Sequence, residues 1–260
     1  LPLEDRVAQM KDPAFKAKIL SQTSDKLAGP GSSIPPIADL LIENMAFVAE
    51  KLFTLSEDPD YEQPPEASIA AKARDRSVSV WEQLYDTVIA REGRELIYLP
   101  IYNYTELSYE NVKAMMDHPL SIMGLSDGGA HVGTVCDASF PTYLMSYWTR
   151  DRTRGDRIEL SRAVKMLTAD LADYLGLSDR GRIKPGLKAD LNVIDHNKLR
   201  LQPPRLVQDL PAGGQRLLQD AVGYRATIVN GEVVVRDDEL TDARPGRLVR
   251  AGRQVAMAAE

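Results

Sequence analysis

"LSIMGLSDGGAHVG", residues 120–133, decides how the chain is read. A mostly apolar run from Leu120 to Leu125 stops at Ser126 and Asp127. Gly128 and Gly129 follow, then Ala130 and His131. A short continuous apolar run, without alternation, is the pattern of a strand buried on both faces of a parallel sheet. In parallel α/β folds the carboxyl ends of strands face the ligand crevice, and Asp127 sits at such an end. The two glycines can take positive φ and let a ligand approach the backbone. A carboxylate there can accept a proton from a nucleophilic water, bind a metal, or both. The other reading is a strand end whose aspartate caps the next turn.

The flanking sequence supports an α/β fold. "ELIYLPIY" is a strand candidate. "SYENVKAMMDH" follows as a helix, with Ser108 as cap and Glu110 in its first turn. "FPTYLMSYWTR" and "ELSRAVKMLTADLADYLGL" read as helices after the Asp127 strand. Strand and helix thus alternate twice, as in a parallel sheet covered by helices. Upstream, residues 1–91 form a mostly helical segment. Asp12-Pro13 divides its first helices, with Pro13 in the first turn of the second. Residues 27–36 and 56–66 are proline-rich loops, and 37–55 fit neither period. Residues 67–91 read as helix, with Trp81, Leu84, Tyr85 and Val88 on one face. From 178 the character changes. "GYRATIVNGEVVVRDDEL" is two alternating runs around Asn230-Gly231, a two-residue hairpin signal. A small β domain is expected over 178–246 and a tail over 247–260.

Composition excludes several classes. The 260 residues are 43% hydrophobic and 27% charged, with net charge -6. An acidic chain without a basic block suggests neither nucleic acid nor an anionic membrane as partner. No apolar run approaches the ~20 residues needed to cross a bilayer, and Leu1 opens no signal-peptide pattern. One cysteine, Cys136, excludes an internal disulfide and fits a reducing, cytoplasmic compartment.

Three stretches carry a family resemblance: "GLSDGGAHVGTVCDASFPTYLMSYWTRDRTRG", "LTADLADYLGLSDRGRIKPGLKADLNVID" and "GYRATIVNGEVVVRDDELTDARPGR". From about 92 to 250 the chain resembles the C-terminal part of an N-acyl-D-amino-acid deacylase, in the D-aminoacylase-like branch of the amidohydrolase superfamily. The middle stretch holds the superfamily's exit from the barrel, G-x-I-x-x-G-x-x-A-D-L, as Gly181, Ile183, Gly186, Ala189, Asp190 and Leu191. The resemblance implies the C-terminal part of a metal-dependent (β/α)8 barrel over 1–177, helical insertion included, plus a small β-sandwich-like domain. It implies amide hydrolysis with zinc, one or two ions, and Asp127 relaying a proton from the attacking water to the leaving nitrogen. Asp127 can also stand as a metal ligand.

The pattern is incomplete. The family needs an H-x-H and two further histidines, and this chain has only His118, His131 and His196. A barrel takes about 250 residues, and far fewer precede Asp127. The expectation is a portion of a longer enzyme, with the other metal ligands outside this chain. The N-terminal part of the same enzyme is then a partner, and a homo-oligomer is compatible.

Around Asp127, substrate contacts are expected from Asn103, Tyr104, Gly128, Gly129, His131 and Arg150. The Tyr104 hydroxyl could donate to a carbonyl oxygen as charge develops; the alternative is a loop aromatic. His131 could contact substrate, orient Asp127, or be a structural hydrogen-bonder. Arg150, with Arg152 and Arg154, could pair with a substrate carboxylate; Asp151 and Asp156 among them favour a solvated charged turn. His118 reads as a helix end, His196 as surface, Cys136 as a small buried residue, and Met115 and Met116 as filler. The substrate is expected to be a small-molecule N-acyl amino acid. A hydantoinase-like cyclic-amide hydrolase and a non-catalytic scaffold are the alternatives. Release of free D-amino acid, ring opening, or neither separates the three.

Overall fold

The computed structural model describes residues 1–23, 25–29, 36–55, 57–124, 126–129 and 131–249. Most of the loop expected at 27–36, most of the tail expected at 247–260, and Leu125 and Ala130 lie outside them. The chain divides into two compact units, Leu1–Asn111 and a second beginning at Val112.

In the first unit, α1 (Leu3–Met10) and α2 (Pro13–Leu20) meet at Asp12. Its carboxylate accepts from the Ala14 N–H at 3.2 Å, and Pro13 opens the helix, as the sequence predicts. The ambiguous stretch 37–55 folds as α3 (Ile37–Glu43), α4 (Met45–Val48), a 3₁₀ turn and the strand β1 (Phe53–Thr54). Residues 67–91 do not form one helix. They hold α5 (Ile69–Asp75), α6 (Val80–Val88) and a turn, α7 (Ala90–Gly93), in which Arg91 and Glu92 take positive φ. The break has a local cause. Ser68 caps α5 and Ser79 caps α6, each accepting the N–H three residues on, so each serine starts its own helix. The expected apolar face splits accordingly. Tyr85 is buried and its hydroxyl donates to the Met10 carbonyl at 2.9 Å, while Trp81 and Val88 are exposed. The core gathers Val48, Ala49, Leu52, Ile69 and Ala70.

The strand expected in "ELIYLPIY" shrinks to β2 (Ile97–Tyr98), antiparallel to β1 with Phe53 opposite Tyr98. Residues 120–124 and 126–129 form no strand. Among the described residues every strand pair is antiparallel. A strand between two parallel neighbours needs both of them to satisfy its N–H and C=O groups. Among the described residues no such neighbours flank 120–124 or 126–127, and Leu120 is 88% exposed.

The second unit includes most of α8 (Glu110–Asp117), then α9 (Phe140–Tyr143), a π-helical run Leu144–Asp151, α10 (Leu160–Leu167) and α11 (Ala169–Tyr174). The single helix expected at 159–177 breaks at Thr168, whose φ and ψ are -128° and -84°. The π-helical run buries Leu144, Met145 and Trp148. It ends at Arg152, which is 1% exposed, with its guanidinium 4.5 Å from the Trp148 ring centre. Arg152 is therefore a core residue and not part of a solvated turn.

The β region begins with β3 (Leu191–Ile194) and β4 (Arg200–Leu201). β5 (Arg205–Leu210), β6 (Gly214–Leu218) and β7 (Ala221–Val222) follow, then β8 (Tyr224–Val229), β9 (Glu232–Arg236) and β10 (Glu239–Leu240). One sheet has the order β10-β9-β8-β3, and β4–β7 and β5–β6 form separate ribbons. Asn230 and Gly231 turn the β8–β9 hairpin at φ 52° and 87°, as the sequence predicts. The Asp190 carboxylate accepts from the Asn230 N–H at 2.7 Å, and the Ala189 carbonyl from the Gly231 N–H at 3.0 Å. The Ala189-Asp190-Leu191 step thus closes the hairpin tip and then enters β3. Among the described residues no helix is long and apolar enough to cross a membrane.

Candidate functional site

Asp127 lies in a loop, residues 126–139, held at several points within the second unit. Gly128 approaches Ala138 so closely that an added Cβ would lie 3.3 Å from the Ala138 methyl. The Val132 carbonyl accepts from the Leu217 N–H of β6 at 2.7 Å, and the Ser139 hydroxyl donates to Gln219 at 2.6 Å. The His131 carbonyl accepts from the Thr134 and Val135 N–H groups at 2.8 and 2.9 Å. These bonds hold an unusual backbone. Asp127, Gly129 and His131 take φ of 51°, 93° and 46°. Positive φ is ordinary for glycine but costs a non-glycine residue about 1–3 kcal/mol.

The Asp127 side chain is exposed, as is that of His131. Near Asp127 lies a second carboxyl, Asp137, which the sequence reading passed over. Although it keeps solvent contact, loss of hydration pushes Asp137 above the usual carboxylate range, and the charge of Asp127 adds to the effect. The signal was a second acid ten positions after Asp127 in one glycine-rich loop. Cys136 beside it is half-buried, and desolvation pushes its thiol up.

Asn103, at φ 60°, and Tyr104 belong to the first unit. Tyr104 is buried, and its hydroxyl donates to the Gln63 carbonyl at 2.6 Å. That hydroxyl is spent on packing, alongside Tyr109, whose hydroxyl donates to the Tyr61 carbonyl at 2.8 Å. Arg150 grips its neighbour Asp151 with two hydrogen bonds of 2.6 Å. It also donates to the carbonyls of His196 and Leu199. Arg150 therefore ties the π-helical run to the turn before β4. His196 is not a surface residue. It is half-buried, with Nε2 2.9 Å from the Thr149 hydroxyl and 3.0 Å from the Met145 carbonyl. His118 follows α8 and accepts from the Leu120 N–H through Nδ1 at 3.2 Å.

Among the described residues no three His, Cys, Asp or Glu side chains come together to hold a metal. Asp137, a charged neighbour of Asp127, is another carboxylate, and among the described residues no histidine ring completes a metal-holding set with them. The described residues do not fit a zinc site.

A family model described as "Amidohydrolase family" matches residues 85–235, more than half of the chain and all of the Asp127 loop. The chain belongs to the amidohydrolase family. It is 32% identical over 106 residues to a 5-methylthioadenosine/S-adenosylhomocysteine deaminase of Pelotomaculum thermopropionicum, covering 40% of this chain and 23% of that protein. It is 38% identical over 65 residues to an adenine deaminase of Desulfatibacillum aliphaticivorans, covering 24% of this chain and 10% of that one. Among solved structures it is similar to a D-aminoacylase described as defining a novel subset of amidohydrolases, with 24% identity and a TM-score of 0.38. That match covers 73% of this chain and 36% of the other. A D-aminoacylase mutant in complex with copper chloride matches at 23% identity and the same TM-score of 0.38. The chain thus spans less than a quarter of the curated relatives it matches.

Proposed function

We propose that the chain is part of a hydrolase that cleaves the amide bond of N-acyl-D-amino acids, or related N-acyl compounds, to a carboxylate and a free amine. The observation that carries the reading is the Asp127 loop. Three of the four described residues between 127 and 131 adopt positive φ, two of them not glycine, within a segment spanned by the family match. Backbone strain of this kind gathers where a chain holds reacting groups in place. The D-aminoacylase branch and the D-stereochemistry rest on the motif resemblance.

In this reading an Asp127 carboxylate oxygen accepts a proton from water as the water oxygen bonds to the amide carbon. The tetrahedral centre then expels nitrogen, which leaves as the amine with the proton Asp127 returns. Gly128 and Gly129 keep the approach free of side chains, and His131, on the same loop, contacts the acyl compound. Tyr104 and Arg150 take no part, since their polar groups are engaged internally. Zinc belongs to the proposal only as an ion held by polypeptide outside these 260 residues, and no step is assigned to it. That polypeptide would also supply parallel neighbours for 120–127, in a (β/α)8 barrel, and cover Leu120, Ile122, Leu160 and Val164, all exposed here. The cytoplasm is the proposed compartment.

The test is Asp127→Asn in the full-length enzyme. Asparagine tolerates positive φ as aspartate does, so fold and metal content survive. Turnover of N-acetyl-D-amino acids falls about 10²–10⁴-fold, the usual worth of a general base. Turnover within a few-fold of the native enzyme removes Asp127 from the chemistry. The two deaminase relatives favour a second reading, in which water displaces ammonia from a nucleobase carbon. Ammonia release from adenine or 5-methylthioadenosine, without amino-acid release from N-acyl substrates, would select it.

A further inference from the structure

We propose that the second unit carries a binding site for a small multivalent oxyanion, in a cleft between the turn at residues 195–200 and the β7–β8 connection. The cleft has a volume of about 580 Å³, within the range of small-molecule sites. Arg150, Lys198, Arg200 and Arg225 line it, with Asp151 and Asp238 as its carboxylates. With Asp195 and Asp237, which pair with Lys198 and Arg225, four acids stand beside the four cations, and of those cations only Arg200 has no acidic partner among the described residues.

Neither lining carboxylate pairs with Arg200. Asp151 spends both oxygens on Arg150. Asp238 spends both on backbone, accepting from the Gly223 and Tyr224 N–H groups at 3.1 and 2.6 Å. Arg225 is shared between Asp237 at 3.2 Å and Asp195 at 3.5 Å. Lys198 has only Asp195, at 4.0 Å. Among the described residues the Arg200 guanidinium has no hydrogen-bond or ion-pair partner. It presents a planar fork suited to two oxygens of one anion, with the Lys198 ammonium two residues away as a point charge.

The rim is preorganised. The Leu199 and Lys198 N–H groups donate to the Asp195 carbonyl at 2.9 and 3.0 Å, and the Asp195 N–H donates to the Gly223 carbonyl at 2.8 Å. Leu199 is fully buried, and its carbonyl accepts from Arg150 at 2.7 Å. Gly223, at φ 110°, passes so near that a Cβ would lie 2.7 Å from the Leu199 Cα. A rim fixed on three sides pays little ordering entropy on binding. The ligand class is an oxyanion of charge -2 or more. Phosphoryl compounds and polycarboxylates share that chemistry.

Calorimetric titration of the full chain with inorganic pyrophosphate and, separately, with citrate tests the site. Saturable one-to-one binding of at least one probe is expected, weakening as salt screens the charges. Arg200→Gln weakens it about tenfold, the worth of one charge-assisted pair, and Lys198→Gln weakens it less. Arg74→Gln, in the first unit, leaves it unchanged. Binding of pyrophosphate alone assigns a phosphoryl ligand, and of citrate alone a polycarboxylate. The proposal is overturned if neither probe saturates, or if Arg200→Gln, with an unchanged melting temperature, binds as tightly as the native chain.

Discussion

Gly181 shows how one residue of a motif is fixed by its surroundings. It sits at φ 83°, and a Cβ there would lie 2.5 Å from the Ala172 Cβ and 3.1 Å from the Thr168 carbonyl oxygen. Both contacts are too close, and both partners belong to the segment holding the α10–α11 break, so neither can move cheaply. Gly181→Ala therefore combines a left-handed backbone penalty with a clash, together about 2–4 kcal/mol. Thermal unfolding should shift down by about 5–10 °C; a shift under one degree would show that the segment yields. Gly186 has positive φ but open space around it, so Gly186→Ala should cost clearly less. Arg152 poses the opposite case. Buried against Trp148 and donating to the Asp156 carbonyl at 2.8 Å, it was hidden in a run of alternating arginines and aspartates that looks like a solvated turn. Nothing in the spacing of Arg150, Arg152 and Arg154 distinguishes the buried one. Only its place over the Trp148 ring does.

Between α2 and α6 a charged clamp sets an acid limit on the first unit. Lys16 reaches Glu82 at 3.0 Å and Asp86 at 2.7 Å, and Arg76 meets Asp86 at 2.7 Å. Desolvation pushes the Asp86 carboxyl up, but hydrogen bonds from Lys16 and Arg76 outweigh it and hold the group below its ordinary 3.8. A depressed carboxylate stabilises the fold above its unfolded value, and that contribution is lost as pH falls through the folded value. Stability should therefore drop below about pH 4, and Asp86→Asn should remove that part of the acid dependence while costing on the order of 1 kcal/mol at pH 7. Denaturant melts of both proteins at pH 7 and pH 3 check this; parallel losses on acidification would place the acid limit elsewhere. Elements governed by local chemistry were legible in the sequence: the Asp12-Pro13 helix start and the Asn230-Gly231 turn are dictated by their own residues. Elements needing distant partners were not. Leu120–Asp127 reads as a buried strand because its side chains suit one, yet a ladder requires neighbours that the described residues of this stretch lack. Of the candidate site, the positive φ of Gly129 was legible in the glycine pair, whereas the strand expected to end at Asp127 is not formed by the described residues. The engagement of Tyr104 with Gln63, and of Arg150 with Asp151, depends on tertiary contacts that no local pattern records.

At the scale of the molecule, the family match and the missing ligands bear on one quantity, metal content. The match spans the Asp127 loop and most of the β region, yet the described residues assemble no metal site. Apolar side chains that a buried sheet would cover, Leu120, Ile122, Leu160 and Val164, meet solvent. If polypeptide beyond these residues supplies both the ligands and the covering strands, then metal retention and burial rise together. The 260-residue chain, loaded with zinc and passed over a chelating resin, should retain well below one ion per chain. It should also enhance the fluorescence of a dye that binds exposed apolar surface. In that case a longer polypeptide that carries further histidines should retain at least one ion and lose most of the dye signal. The coupling is the discriminating feature, because folding around a metal buries its ligands and their surroundings in one transition. Stoichiometric zinc on the 260-residue chain, abolished by Asp127→Asn, would instead place the ligands within it and require a rearrangement of the 126–139 loop.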